Sequence, residues 1–199
     1  MTNIDKNTAD SKHFIHKCKK CNRPLNESDK TVEFCDGCFP EVIFKRLRKF
    51  IRVNQYIQKD DTLVALDEIS EKLLPYIINK PVKLIHSKTS SIEYSAGFDL
   101  KKHISTKTPS DAKILLPVCL DDIEKLFLEH LFAGKAFSYK FPKNVVPIYY
   151  PLTKEEMYRL AKLLKAETYA RKHSAITEFL DNFEKAFPGI KFNVKKSMT

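Results

Sequence analysis

Apolar residues recur along the chain with the period of a helix in some segments and as short unbroken runs in others. In the segment 40–53 they repeat every three or four residues, and a proline opens the segment, so the pattern predicts an amphipathic helix. The next residues predict a short strand over 53–57, a polar turn over 58–61 and a second helix over 62–78. The first part of the chain is therefore predicted to be helix, strand and helix.

The rest of the chain continues this alternation. Short apolar runs predict three more strands, over 82–86, 114–118 and 145–149. Helical patterns follow at 121–131, after Thr153 and after Ser174. Thr153 and Glu156, three residues apart, form the capping box that is typical of a helix start. Because strands and helices alternate without a hairpin signal, the sequence predicts an α/β fold with an open parallel sheet covered by helices.

Four of the five cysteines fall in one short window of the sequence. They form two Cys-x2-Cys pairs, made by Cys18, Cys21, Cys35 and Cys38. Two such pairs can place four thiolates around one tetrahedral Zn²⁺ and leave no open position for a reactive water. Inside a cell, where thiols stay reduced, this spacing indicates a metal rather than disulfides. The sequence therefore predicts a structural zinc ribbon, with four free thiols or an iron–sulfur cluster as the alternatives.

Length and composition bound the organisation of the chain. It has 199 residues, of which 43% are hydrophobic, enough for one domain with a small appendage. We expect a disordered tail over 1–12, the zinc ribbon over 13–40 and the α/β domain over 41–199. No apolar run approaches the ~20 residues that span a bilayer, and the polar start lacks the apolar stretch of a signal peptide. These observations predict a soluble intracellular protein with no membrane partner.

The predicted turn between the first strand and the second helix has the position of a phosphate-binding loop in nucleotide-binding proteins. It consists of Gln58, Lys59, Asp60, Asp61 and Thr62. A working loop usually contains glycines, which let the backbone approach the phosphates. This turn contains none, and its two aspartates would repel a triphosphate. The sequence therefore predicts a degenerate nucleotide loop with no bound nucleotide; in the simpler interpretation, the aspartates only cap a structural helix.

Basic residues are concentrated at the two ends of the chain. The net charge is +10 at pH 7, which suits a polyanionic partner but also an ordinary solvated surface. The predicted helix over 40–53 carries five basic residues opposite its apolar stripe: Lys45, Arg46, Arg48, Lys49 and Arg52. Such a face can bind the phosphates of an RNA. Solvation of this face, or its docking on a protein subunit, are the alternatives.

Several of these motifs occur together and in the same order in one protein family. The cysteine pairs, the basic helix and the run Leu-Val-Ala-Leu-Asp over 63–67 resemble the cytoplasmic tRNA 2-thiolation protein 2 family. The segments 146–152 and 176–188, the latter ending in Phe187-Pro188, are similar to later segments of the same family. The resemblance is collinear from about residue 18 to 195, and its cysteine-rich beginning is the most specific part.

The resemblance implies a fold of the adenine-nucleotide alpha-hydrolase-like type, as in the N-type ATP pyrophosphatases, whose phosphate loop reads SGGxDS. Over that loop Ile57, Gln58 and Lys59 replace Ser-Gly-Gly, whereas Asp61 and Thr62 keep the end of the motif. This departure is expected of the family's second subunit, which is a non-catalytic partner of the subunit that uses ATP. The resemblance therefore implies a chain that is not itself an enzyme.

The resemblance also implies the partners. The two subunits form a heterodimer that binds tRNA and 2-thiolates the wobble uridine of tRNAs for lysine, glutamate and glutamine in the cytoplasm. A thiocarboxylated ubiquitin-related carrier supplies the sulfur to the complex. Two other functions stay open at this point: a divergent ATP pyrophosphatase that acts on RNA, and a zinc-ribbon nucleic-acid-binding module without a role in thiolation.

Overall fold

The computed structural model describes residues 17–25, 33–87, 109–135, 137, 141–167, 175–187 and 189–190. The chain divides into two compact units, Met1–Val42 and Ile43–Thr199. The predicted tail over 1–12 lies outside the described residues, as does part of the predicted ribbon. Within the described ranges, no helix is both long enough and apolar enough to cross a membrane.

The first unit contains a short cysteine-rich turn structure. Lys17 and Pro24 form an antiparallel bridge, and the Cys18 N–H donates to the Arg23 carbonyl at 2.8 Å between them. Helix α1, Phe39–Val53, begins directly after the last cysteine of the quartet and continues into the second unit. Its observed bounds confirm the helix that the sequence predicted over 40–53.

The second unit is built on a four-stranded sheet. Its strands are β1 Thr62–Ala65, β2 Lys83–His86, β3 Lys113–Leu116 and β4 Val145–Pro147. All pairings are parallel and the order is β2-β1-β3-β4. The helices are α2 Glu68–Ile77, α3 Leu120–Phe132, α4 Lys154–Leu163 and α5 Ala175–Ala186. The predicted α/β fold with an open parallel sheet is confirmed.

The core lies on both sides of the central strands. Successive residues of β1 and β3 are buried whichever way they point, as expected for parallel strands with both faces covered. On one face, Val64 and Ile114 belong to the same buried cluster as Ile123 and Leu126 of α3. The unbroken apolar runs of these strands are therefore a consequence of burial on two faces.

The structure corrects the prediction for the segment 53–78. Residues 54–61 are turns and loop rather than a strand, and the predicted helix over 62–78 is strand β1 followed by helix α2. The apolar residues at 63, 66, 69 and 73 fit a helical period by chance, because residues 63–66 are all apolar and residues 69 and 73 belong to the buried face of α2. The strand thus begins where a helix was expected, and the connection between strand and helix moves to Leu66 and Asp67.

The strand order defines where a ligand would be expected. The chain passes from β1 to β2 on one side of the sheet and later to β3 on the other side of β1. The carboxyl ends of β1 and β3 therefore flank the point at which the strand order reverses. In open α/β sheets, ligands usually bind in the crevice at this point.

Candidate functional site

The four cysteines of the two Cys-x2-Cys pairs converge in the first unit. The Sγ atoms of Cys18, Cys21, Cys35 and Cys38 all lie within 4.8 Å of one another. The Sγ atoms of Cys21 and Cys35 are 3.7 Å apart. A tetrahedral Zn²⁺ with Zn–S bonds of ~2.3 Å has S–S edges of about 3.8 Å. The donor set and its spacing therefore fit a single metal ion.

Backbone hydrogen bonds give each pair its turn. The Asn22 N–H donates to the Cys18 carbonyl at 2.9 Å, and Asn22 adopts a positive φ of 57°, which asparagine tolerates better than most residues. In the second pair, the N–H groups of Cys38 and Phe39 both donate to the Cys35 carbonyl, at 3.0 and 2.9 Å. These local bonds bring both thiols of a pair to the same side of the backbone.

The environment of the cluster favours a thiolate at Cys18. Burial alone would raise the pKa of this thiol, but hydrogen bonds from the backbone N–H groups of Cys35, Cys21 and Lys20 lower it from 9.0 to about 6. For Cys38, burial and the neighbouring thiols raise the pKa to about 12. Four thiols crowded together resist simultaneous ionisation without a cation, so the arrangement suits a bound metal.

A second set of polar residues lies at the carboxyl end of the sheet. Asp67 ends the β1–α2 connection, and its carboxylate accepts a hydrogen bond from the Ser70 N–H at 3.2 Å, which makes it the N-cap of α2. The Tyr149 hydroxyl, which follows β4, donates to both carboxylate oxygens at 3.1 and 3.3 Å. The Ser70 and Tyr149 hydroxyl oxygens are 2.8 Å apart. All three residues are at most 4% exposed.

This network engages the N–H and the hydroxyl of Ser70, two groups that could otherwise donate hydrogen bonds to a phosphate. The N-terminus of a helix after β1 is a natural anion site, but here the carboxylate of Asp67 already accepts the first-turn N–H. Because the Tyr149 proton points to Asp67, the Ser70 hydroxyl donates to the phenol oxygen. The segment 66–70 contains no glycine. A phosphate at the Ser70 N–H would have to displace the buried Asp67 carboxylate.

Neighbouring groups at the same end of the sheet are also bonded internally. The Asp122 carboxylate accepts from the Cys119 N–H at 2.8 Å at the start of α3. The Asp121 carboxylate accepts from the Lys154 N–H at 2.6 Å and so joins the starts of α3 and α4. Their bonds tie this end of the second unit together.

The structure also corrects the position of the degenerate nucleotide loop. Gln58, Lys59, Asp60 and Asp61 precede β1, and Thr62 is its first residue, so all five lie at the amino end of the strand rather than in the β1–α2 connection. The aspartates do not cap a helix there. The Asp61 carboxylate accepts from the Gln58 N–H at 2.5 Å and pairs with Lys113 Nζ at 2.7 Å.

Asp61 has a structural part in the sheet. Burial opposes its charged form, but the hydrogen bond and charge of Lys113, the Gln58 N–H and the charge of Lys80 together lower its pKa below 3.8. Lys113 Nζ also donates to the Tyr56 carbonyl at 2.9 Å. The pair therefore fixes the loop before β1 to the first residue of β3.

The basic face of α1 divides into two kinds of residue. Arg46 was predicted to face outward, but its Nη1 contacts both carboxylate oxygens of Glu156 at 2.7 and 2.8 Å and lies 3.4 Å from the Pro151 carbonyl. Glu156 also completes the capping box with Thr153, as predicted. Arg46 is therefore held by α4, and the expectation that it belongs to the open face is wrong.

The other four predicted residues are exposed. Lys45, Arg48, Lys49 and Arg52 have positions i, i+3, i+4 and i+7 of α1, which places them on one side of the helix. Across the described part of the chain, none of the four forms an ion pair closer than 4.0 Å. They line a cleft of about 560 Å³ together with residues that precede β1 and β2.

Aromatic contacts fix α1 beside this cleft. Phe44 stacks on Tyr76 of α2, with ring centroids 4.8 Å apart and an angle of 11° between the planes. Phe50 packs against Tyr56 and Tyr150, at centroid distances of 5.3 and 5.8 Å. The apolar side of the helix, where Ile43, Leu47 and Ile51 are at most 7% exposed, therefore packs on the rest of the second unit, and the four cations on the other side are exposed.

Comparison with known proteins identifies the fold. No protein-family model matches the chain, and no curated protein sequence matches it. The structure is similar to that of the U34-tRNA thiolase NcsA from Methanococcus maripaludis, which was solved with its [4Fe-4S] cluster. The TM-score is 0.62 at 15% identity, over 93% of this chain and 86% of that chain. The likeness shows that this chain has the α/β fold of that thiolase.

Sequence reasoning missed the network of Asp67, Ser70 and Tyr149. Two signals could have located it. The unbroken apolar run before Asp67 is typical of a strand buried on both faces, and Asp67 is a good N-cap for the helix that follows. The role of Tyr149 in the network could not be predicted from a local pattern, because Tyr149 lies 82 residues from Asp67 in the sequence.

Proposed function

We propose that this chain is a non-catalytic subunit of a complex that thiolates the wobble uridine of tRNA. The observation that carries the proposal is the Asp67 carboxylate at the N-terminus of α2, where a fold of this kind would bind a phosphate. The chain is similar to a tRNA thiolase over most of its length. At the place where such a fold would take a nucleotide, the Asp67 carboxylate and the Tyr149 hydroxyl are bonded to each other.

In this proposal a second subunit supplies the ATP chemistry. That partner carries an intact SGGxDS loop and forms a heterodimer with this chain in the cytoplasm. It adenylates the uridine, and a thiocarboxylated ubiquitin-related carrier provides the sulfur. This chain contributes a surface for the partner and binds tRNA through the exposed basic residues of α1, whose charges attract the phosphates. The expected substrates are the tRNAs for lysine, glutamate and glutamine.

The cysteine cluster holds structural zinc in this proposal. Each cysteine of a [4Fe-4S] cluster binds a different iron, so its four thiolates stand farther apart than around one ion. Sulfur atoms within 4.8 Å of one another favour the single ion. Zn²⁺ bound by four thiolates has no open position, and therefore its contribution is to the folding of the first unit.

The role in thiolation is tested in the cells from which the chain comes. Deletion of the gene is expected to abolish 2-thiouridine in tRNA, measured by mass spectrometry of the nucleosides, and the wild-type chain is expected to restore it. The tagged chain is expected to co-purify with a protein that contains an SGGxDS loop. Unchanged 2-thiouridine after deletion would contradict the proposal and favour a zinc-ribbon module with another nucleic-acid role.

The absence of catalysis is tested on the isolated chain. Incubation with ATP, Mg²⁺ and tRNA is expected to release no AMP, because the Asp67 carboxylate already accepts a hydrogen bond from the Ser70 N–H in the first turn of α2. AMP release by the wild-type chain that is lost in Asp67→Ala would show that the site is active. That result would favour a divergent ATP pyrophosphatase instead.

The metal is tested by elemental analysis of the purified chain. We expect one zinc per chain, no visible absorption from iron–sulfur, and loss of the zinc in Cys35→Ser. Cys119→Ser is the matched control, since Cys119 lies outside the quartet, and it should keep its zinc. Iron in place of zinc, or zinc retained in Cys35→Ser, would contradict the assignment.

A further inference from the structure

The cleft beside α1 lies away from the position where this fold usually takes a ligand. One wall is α1, and the other is formed by the end of α2 and the residues up to Lys80. Ile57 and Gln58, which precede β1, also line it. Because these segments come just before β1 and β2, the cleft is at the amino end of the sheet. Its volume of about 560 Å³ is within the usual range for a ligand site.

The walls of the cleft are cationic. Four of the lining cations come from α1, and Lys80 comes from the opposite wall. From Lys45 to Arg52 the charges extend over ~10 Å of helix axis. Among the described residues that line the cleft, none is acidic. A row of positive charges of this length can contact more than one phosphate of a polyanion, and each contact would release counterions.

The floor of the cleft has a different character. Four isoleucines also line the cleft. Ile51, Ile57 and Ile77 are each at most 7% exposed and Ile78 is half-buried, so the exposed parts of these side chains give the cleft an apolar lining. Three amide side chains, Gln55, Gln58 and Asn79, also line the cleft. An amide carries both donors and an acceptor. The cleft therefore combines cations for phosphate, an apolar surface for a flat ring and amides for the edge of that ring.

We propose that this cleft binds one unstacked nucleotide of a single-stranded RNA segment, with its base against the isoleucine floor and its flanking phosphates on α1. The proposal rests on the proposed function, since it specifies how the chain would grip tRNA. A duplex keeps its bases stacked inside and offers only its backbone, whereas unpaired loops present bases that side chains can receive. A small anion would contact the cations but leave the isoleucine side chains uncovered. Arg48 and Arg52 also offer planar guanidinium groups on which a base can stack.

The experiment separates the base from the phosphates. The affinity of the full chain is measured for a stem-loop RNA with an unpaired loop and for a blunt duplex with the same number of phosphates. Asn79→Leu adds aliphatic bulk to the cleft and removes an amide, without changing charge or adding an aromatic ring on which a base could stack. It is expected to weaken binding of the stem-loop by about tenfold, which corresponds to the loss of one base contact, with the salt dependence unchanged, and to leave binding of the duplex as it is. Asn144→Leu, at an exposed asparagine before β4, is the matched control and should change neither.

A pair of charge reversals tests the phosphates. Arg48→Glu with Arg52→Glu is expected to weaken binding of both RNAs and to reduce the salt slope by about 0.7 for each lost contact. Lys135→Glu with Lys143→Glu changes the net charge equally at exposed positions outside the cleft, and it should have a much smaller effect. Thermal melting checks that each variant is folded, and Gln58→Leu replaces Asn79→Leu if the latter unfolds.

Three outcomes would overturn the inference. They are equal affinity of the wild-type chain for stem-loop and duplex, unchanged stem-loop binding in a folded cleft-filling variant, and competition by millimolar inorganic phosphate as strong as that by RNA. The loss of 2-thiouridine on gene deletion is a separate measurement. If it is seen while the cleft variants bind RNA normally, the thiolation role stands and the cleft inference fails. If the cleft variants lose stem-loop binding but gene deletion leaves 2-thiouridine unchanged, the cleft inference stands and the thiolation role fails.

Discussion

The two ends of the parallel sheet use their polar residues in opposite ways. At the carboxyl end, Asp67, Ser70 and Tyr149 are buried and bonded to one another. At the amino end, the four α1 cations that line the cleft are exposed and, among the described residues, form no ion pair closer than 4.0 Å. The end at which such a fold usually binds a ligand is therefore closed by the chain's own groups, and the other end is open to an anion.

The two ends differ because buried and exposed polar groups have different requirements. Buried polar groups must be satisfied, and at the carboxyl end side chains of the same protein supply these hydrogen bonds. Exposed lysines and arginines carry no such requirement, because water solvates them. A ligand at the carboxyl end would have to break internal bonds, whereas a ligand in the cleft would only replace water and counterions.

The largest expected effect concerns the closed end. Tyr149→Ala removes a fully buried ring and leaves a cavity, so we expect a loss of about 3–5 kcal/mol in the free energy of unfolding. Tyr149→Phe keeps the ring and removes only the hydroxyl that donates to Asp67, and we expect about 1–3 kcal/mol. Urea denaturation measures both.

Tyr76→Phe is the matched control for these two variants. Tyr76 is 51% exposed and stacks on Phe44 through its ring, so the loss of its hydroxyl should change the free energy of unfolding by less than about 0.5 kcal/mol. Equal stabilities of Tyr149→Phe and Tyr76→Phe would mean that the hydroxyl of Tyr149 does not hold the closed end together.

A second comparison uses two arginines on the same helix. Arg46→Ala leaves the partly buried Glu156 carboxylate without its cation, and after allowance for partial exposure we expect a loss of about 1–2 kcal/mol in the free energy of unfolding. Arg48→Ala should cost less than about 0.5 kcal/mol but weaken RNA binding. Urea denaturation and RNA titration of both variants would separate the stabilising role of Arg46 from the RNA-binding role of Arg48. If Arg48→Ala destabilised the chain and Arg46→Ala did not, both roles would be contradicted.

The smallest expected effect concerns Asp61 and pH. Because Lys113 helps to hold the pKa of Asp61 below its usual value, the charged carboxylate stabilises the fold above about pH 4, and this contribution is lost as the pH falls through the lowered pKa. Asp61→Asn should therefore cost ~1 kcal/mol at pH 7, and the difference from wild type should shrink in acid. Urea denaturation at a series of pH values measures it. If the difference in the free energy of unfolding between wild type and Asp61→Asn grew as the pH fell, a stabilising ion pair of Asp61 with Lys113 would be contradicted.

Local patterns were enough for part of the molecule. Helix α1 and the capping box of α4 follow from residues a few positions apart, and the structure has them where the sequence predicted. The cysteine spacing likewise places four thiols within reach of one ion. Each of these features depends on near neighbours in the chain, whose geometry the period of a helix or the span of a turn already fixes.

The tertiary structure decided the rest. The run around β1 fits either a helix or a doubly buried strand, and only its pairing with β2 and β3 selects the strand. The network of Asp67 with Tyr149 and the ion pair of Arg46 with Glu156 join residues 82 and 110 positions apart. No local period specifies such contacts, because they arise when separate elements pack side by side. The sequence alone therefore determined which residues carry charge and which can bind metal, and packing determined which of them are still open to a partner.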